Sequence, residues 1–296
     1  MIIDHGLQLV LLHVPKCAGT ALRRAFLEDG VSRSMDNHFD FEFDPVIKRQ
    51  VDRAHQPLMD MRHRPEWQWM RRYRVVAATR HPYQRLASAC REFLKQKSRA
   101  SEVQVRSAPP SSRQLLAYLR RLPAAMDAHD LRWVHGFPIH WFTHYGQRPQ
   151  VHHLLRCSHL KEDLTALGEE LNWPSSLQER LAMVGDGTGR READDLEPLQ
   201  RNADLQALAN LLHADDFACF GFQRGDASFQ DPELADLIGR LEGGKSRQVG
   251  TGADVAGKRQ IQPLGPGAGP VEQATAEKQV GAGTEGDVGA ALGQSR

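Results

Sequence analysis

The chain has 296 residues, 40% hydrophobic and 25% charged, the balance of an ordinary globular protein with room for one large domain or two small ones. With 38 basic against 37 acidic residues the formal charge is +1, so no whole-molecule field draws it onto nucleic acid or lipid. Four scattered cysteines (Cys17, Cys90, Cys157, Cys219) with no C-x-x-C pair argue against a disulfide framework and a cysteine-rich zinc site, and point to a reducing compartment.

In chain order, Leu7–Val14 is a short run of leucine and valine suited to a buried strand. The longest apolar stretch lies here and is far shorter than the roughly 20 residues of a membrane span. Asp4, with no small-residue cleavage site after it, fits no signal peptide. A soluble, cytoplasmic protein with no integral membrane segment is therefore expected. Thr20–Asp29 reads as a helix with Leu22, Ala25 and Phe26 on one face and Gly30 as its stop. His38–Asp44 alternates strictly, which predicts a half-buried strand with Phe39, Phe41 and Phe43 facing one way and Asp40, Glu42 and Asp44 the other.

Arg74–Thr79 is a second buried strand, and Pro82 opens a helix over Tyr83–Lys97 with Tyr83, Leu86, Ala87, Cys90, Phe93 and Leu94 on its apolar face. A polar loop (Ser98–Pro110), a helix (Arg113–Leu122), a late strand (Val151–Arg156) and a helix (Leu160–Leu171) follow. Alternating strands and helices predict an α/β sheet covered on both faces. From Gly243 onward there is no Phe, Trp or Tyr and about half of the 25 glycines, too little apolar surface to offset ordering entropy. The expected organisation is a folded domain over 1–225, a short helical extension over 226–242 (with Pro232–Leu241 helical) and a disordered Gly-rich tail over 243–296.

Two strand-to-helix turns carry the chemistry. In His13-Val14-Pro15-Lys16-Cys17-Ala18-Gly19-Thr20-Ala21-Leu22 a strand breaks into small residues that open a helix. Backbone N–H groups at such a start bind phosphate. Gly19 permits close approach, Thr20 can cap the helix and donate its hydroxyl, and Lys16 adds a full charge. The lysine comes first, unlike the nucleoside-triphosphate loop G-x-x-x-x-G-K-[ST]. An ordinary turn with a solvated lysine has the same spacing. The second turn ends a strand not in the aspartate that would hold magnesium but in Arg80, with Ser88 on the second turn of the next helix. Ligands of α/β sheets bind beyond such strand ends. Two cationic turns without a metal carboxylate suggest a ligand with two separate phosphate groups, handled without metal. Arg85 reads as a helix-surface charge that positions Arg80.

Together the two turns resemble the sulfotransferases, specifically the carbohydrate sulfotransferases called family 2. Pro15 to Leu22 is similar to that family's 5′-phosphosulfate loop, and Arg80 through Ser88 to its 3′-phosphate element. Fainter similarities are Ala54-His55-Gln56-Pro57 with Met61-Arg62, His140-Trp141, and Asp216 through Phe222 as the usual domain ending, so the resemblance spans about 7–222. Ser158 stands where the family's Arg-x-Glu-x-Leu segment has glutamate, and the Pro-Gln after the His-aromatic pair is absent, with His144 near the Gln position. The membrane anchor of many eukaryotic relatives is not expected here.

The resemblance implies a P-loop-like three-layer α/β/α fold with a central parallel sheet. It also implies a donor, 3′-phosphoadenosine 5′-phosphosulfate (PAPS), that passes its sulfuryl group in line to an acceptor hydroxyl, on a carbohydrate or glycan-like molecule. Pro15, Lys16, Cys17, Ala18, Gly19, Thr20, Ala21, Arg80 and Ser88 would bind the donor, Lys16 acting at the bridging oxygen. His55 is the implied base, with His38, Asp40 and Glu42 as rivals. The segment Lys48–Arg99, about fourteen basic residues against four acids, is either a solvated surface or a guide for an anionic acceptor. His135, His140 and His144 match no zinc spacing, and no metal is expected. Cys17 is either a low-pKa thiol or an inert filler. A P-loop small-molecule kinase lacks its G-K-[ST], a non-catalytic nucleotide-binding adaptor stays open, and no nucleic-acid-binding motif accompanies the basic segment.

Overall fold

The computed structural model describes residues 1–27, 33–36, 41–100, 109–184, 198–226, 228 and 230. The predicted Gly30 stop, Phe39 with its neighbours His38 and Asp40, most of the Ser98–Pro110 loop, the Pro232–Leu241 helix and the tail lie outside them.

β1 (Ile2–Asp4) and β2 (Leu9–Leu12) form an antiparallel hairpin whose turn closes where Asp4 Oδ1 accepts the Leu7 N–H at 2.9 Å. α1 (Gly19–Leu27) follows, and β3 (Arg33–Asp36) returns antiparallel to β1. β4 (Phe41–Asp44) and β5 (Arg49–Asp52) make a separate hairpin. α2 (Glu66–Met70) leads into β6 (Arg74–Thr79), and α3 (Pro82–Ala100) leaves it. α4 (Ser112–Asp127) and α5 (His140–Thr143) precede a small hairpin of β7 (His144–Tyr145) and β8 (Arg148–Pro149). β9 (His153–Arg156) runs into α6 (Leu160–Glu170) and α7 (Ser175–Ala182), and helices Ala203–Leu212 and Ala214–Phe220 follow.

The main sheet has the order β3-β1-β2-β6-β9, with β2–β6 and β6–β9 parallel. Because β1 opposes both its neighbours, the other four strands all point the same way. The fold is thus mixed α/β with a mostly parallel central sheet. Consecutive residues of a strand point to opposite faces, so the burial of every residue in Leu9–Leu12 and Val75–Thr79 means both faces are covered. α1 packs on α7, where Arg180 Nε donates to the Ala25 carbonyl at 2.9 Å, and α3 packs on α4 and on helix Ala203–Leu212.

The structure departs from the sequence reading in three places. The first predicted strand is shorter, because Leu7 and Gln8 belong to the turn and Gln8 has a φ of 49°. The fourth helix runs beyond Leu122 to Asp127, through Pro123, from a capping box of Ser111 and Gln114. On β4 the two faces are reversed: Phe41 and Phe43 are 60% and 57% exposed, while Asp44 is 2% exposed. Asp44 accepts from the Val46 N–H, from His63 at 2.8 Å and from Arg64 at 2.8 Å. A carboxylate with that many donors is held inside in its charged form, and the phenylalanines turn out.

Candidate active site

β2 delivers the chain to the first turn. Its backbone is left-handed at Lys16 (φ 63°) and Ala18 (φ 58°), and the Ala18 carbonyl accepts from the N–H groups of Ala21 and Leu22 as α1 begins. Alternating left- and right-handed residues make successive N–H groups converge into an anion-binding hollow. Gly19 starts α1, so Thr20, expected as the cap, lies exposed inside the first turn beside Ala21. A Cβ at Gly19 would come within 2.0 Å of the His13 ring, so a larger residue there would displace that ring from its place beside His55.

Two arginines of the second turn hold the first. Arg80 Nη1 donates to the Lys16 carbonyl at 3.4 Å and Arg85 Nε to the Pro15 carbonyl at 2.9 Å. Arg85 is not a surface charge: it is wholly buried. It lies beneath the anion turn, and its charge is felt by Cys17, His135, His213 and Asp216. Lys16 Nζ reaches Glu92 Oε2 on α3 at 3.4 Å. Burial lowers its pKa, and Glu92 offsets this only in part. Ser88 is partly buried on α3, one helical turn before Glu92. Cys17 is buried, and burial pushes its thiol up. A hydrogen bond with Cys157 and the charges of Arg85 and Arg80 outweigh that and lower it.

His55 ends a short 3-10 turn after β5, where Asp52 Oδ1 accepts the Ala54 N–H at 2.9 Å and Asp52 Oδ2 receives the His55 Nδ1 proton at 2.7 Å. Burial raises the Asp52 carboxyl, but the hydrogen bond and charge of His55 outweigh it and hold it low. The His55 ring lies 4.5 Å from that of His13 and 5.1 Å from that of His135. His135 is driven down to about 3 by burial, with the nearby His55 and Lys16 adding to the shift. Lys16, His13, His55 and His135 therefore share one neighbourhood. Of the rival bases, Glu42 is engaged by Arg64 and Arg53, while His38 and Asp40 lie outside the described residues.

Beyond the C-terminal ends of β6 and β9 opens a cavity of about 530 Å³, lined among others by Arg80, Arg156, Ser158, Gln206 and Arg224. Ser158, the residue that stands where the resemblance expects glutamate, is thus part of this wall. Arg156 is paired with Asp163, Nη2 to Oδ1 at 2.6 Å. The wall's far side is pinned where His81 Nε2 donates to the Gln223 carbonyl and the Gly225 N–H donates to the Tyr83 hydroxyl.

The sequence reading missed Asp52 and the role of Asp216, and placed the buried Arg85 on the helix surface. Asp52 was detectable as an acid three residues before a histidine. Asp216 is fully buried and accepts from the Ile139 and His140 N–H groups at 2.8 Å and from His213 at 2.9 Å. It ties the domain ending to α5. His140 lies on Asp216, His144 on Thr143 and His135 on His55, so the three do not converge, and no described residues form a group of three or more suited to a metal ion. No helix among the described residues is long and apolar enough to cross a membrane. Three arginines of the basic segment Lys48–Arg99 are held in ion pairs: Arg49 with Asp60, Arg53 with Glu66, Arg64 with Asp44.

Compared with known proteins, residues 1–223 match the model of one family, described as the sulfotransferase family. No curated protein and no solved structure matches the chain.

Proposed function

The chain belongs to the sulfotransferase family, which makes it a PAPS-dependent transferase, and from that premise we propose how its residues act and on what. The observation that carries the proposal is the joining of two turns 64 residues apart through Arg80 and the Lys16 carbonyl. One hollow of backbone N–H groups and one cationic cavity at the strand ends, so joined, suit a nucleotide with anionic groups at two positions. Arg80 and Ser88 would hold the 3′-phosphate, and the turn from Pro15 to Ala21 the 5′-phosphosulfate. The bound donor supplies an activated sulfuryl group. Lys16, lowered by burial with Glu92 opposing the shift, would neutralise charge on the departing oxygen without needing a metal.

His55 donates its Nδ1 proton to Asp52 and so presents Nε2 as a lone pair that can take a proton from an acceptor hydroxyl. Asp52 fixes that tautomer and stabilises the cation that forms. Neutral His135 beside it adds no competing charge. The acceptor in this reading is a carbohydrate or glycan-like molecule.

Turnover of labelled PAPS against a panel of glycans and small alcohols tests the proposal. Lys16→Ala should lose about two to three orders of magnitude in turnover. His55→Ala should lose the acidic limb of the pH–rate profile. Near-normal turnover in the first, or a retained limb in the second, removes that residue from the chemistry.

A further inference from the structure

Lys16 is tied at both ends to the second turn and the helix that leaves it. Arg80 Nη1 donates to its carbonyl at 3.4 Å, and its ammonium group reaches Glu92 Oε2 on α3, also at 3.4 Å. We propose that Glu92 is a positioning residue for the transfer: it seats the Lys16 ammonium group at the mouth of the first turn and yields it to the anionic end of the donor. The inference rests on the sulfotransferase reading of Lys16.

Placement is the first argument. Ser88 and Glu92 are four residues apart on α3, so they lie one above the other on a single face, about 6 Å apart. Lys16 therefore spans from the turn assigned to the 5′-phosphosulfate to the helix face assigned to the 3′-phosphate. A lysine stem is long and flexible, and without a partner its charge samples many positions. Holding it beside the donor site removes that search from the reaction.

Charge is the second. The groups that bear on Lys16 are Glu92 and Lys95 on α3 and Arg80 on the second turn, while His135, which feels Lys16 in turn, is neutral at physiological pH. Lys95, Arg80 and burial all disfavour the ammonium form, and Glu92 supplies the opposing negative charge. A carboxylate beside an anion site repels the anion, so its presence there weakens donor binding unless its hold on Lys16 offsets the repulsion. Glu92 is itself mostly shielded, with its side chain 24% exposed, and needs the cation as much as the cation needs it. When the donor enters, its own negative charge takes the place of Glu92 at the ammonium group.

The test is calorimetric titration of the full chain with adenosine 3′,5′-bisphosphate at pH 7 and at pH 9.5. Glu92→Gln keeps the side-chain shape and removes the charge. At pH 7 it should bind at least as tightly as the wild type, because no carboxylate competes for Lys16 or repels the phosphate. Between the two pH values it should lose about threefold more affinity than the wild type loses, because Lys16 without Glu92 gives up its proton at lower pH. Glu92→Asp, which keeps the charge, should follow the wild type within about twofold. In a chain that already carries Lys16→Ala, adding Glu92→Gln should bring no extra loss over the same range. Weaker binding of Glu92→Gln at pH 7, an unchanged pH dependence, or an extra loss that persists without Lys16 overturns the inference and leaves the donor assignment standing. A wild-type chain that refuses the bisphosphate overturns the sulfotransferase reading and this inference with it.

Discussion

Arg85 shows how much one buried charge can organise. Its Nε holds the Pro15 carbonyl while its charge favours the ionised form of Asp216, which in turn holds Ile139 and His140. Removing one member of a buried charge system leaves the other uncompensated. Arg85→Ala should therefore cost about 3–5 kcal/mol of stability by urea denaturation, and a loss under about 1 kcal/mol would contradict this. His135 makes a second residue-scale prediction. Its folded pKa, about 3, lies below the ordinary 6.5, so between those values the unfolded chain binds a proton that the folded chain does not. Stability must fall as pH drops through that window, by up to about 1.4 kcal/mol per unit from this group. His81, His129, His144, His152 and His213 shift in the same direction and add to the slope. His135→Gln should flatten it by one proton's share, and an unchanged slope of denaturation midpoint against pH would refute the assignment. Lys16 and Arg80 stand out in the sequence because each lies at a strand-to-helix turn, and His55 because of the family resemblance. Arg85 does not, because a helix-surface position and a position under the anion turn have the same spacing until the turn packs on α3.

At the scale of elements, the legible ones are those whose pattern admits a single arrangement. β6 was read over its observed range because its apolar centre, Val75–Ala78, is buried on both faces, and Pro82 marks where α3 starts. β4 was misread because alternation shows that two faces differ without showing which is inside. Buried ion pairs decided it in favour of Asp44 and Arg64. Phe43→Ser should therefore change stability by less than about 0.5 kcal/mol, whereas Arg64→Ala should cost about 3 kcal/mol or more. Equal losses, measured by thermal unfolding with each variant alone, would restore the opposite orientation. β1 and β3, three and four residues long, carry too few positions for any periodicity and were not predicted.

On the scale of the molecule, the family match over 1–223, the two joined turns and the cavity at the strand ends all lie before residue 231. Deleting residues 243–296 should leave affinity for adenosine 3′,5′-bisphosphate within about twofold, as read by calorimetry, and a larger loss would give the tail a part in the site. The near-zero net charge and the pairing of Arg49, Arg53 and Arg64 with acids mean that recognition of an anion depends on local clefts, not on an overall field. The central claim is that the Lys16 and Arg80 turns grip different ends of one donor. The most direct measurement compares adenosine 3′,5′-bisphosphate with adenosine 5′-phosphate on the wild type and on Arg80→Ala. Losing the 3′-phosphate or the Arg80 side chain should each weaken binding about tenfold or more, and losing both should be no worse than losing one. If Arg80→Ala weakens both ligands equally, or neither, Arg80 does not hold the 3′-phosphate and the account fails.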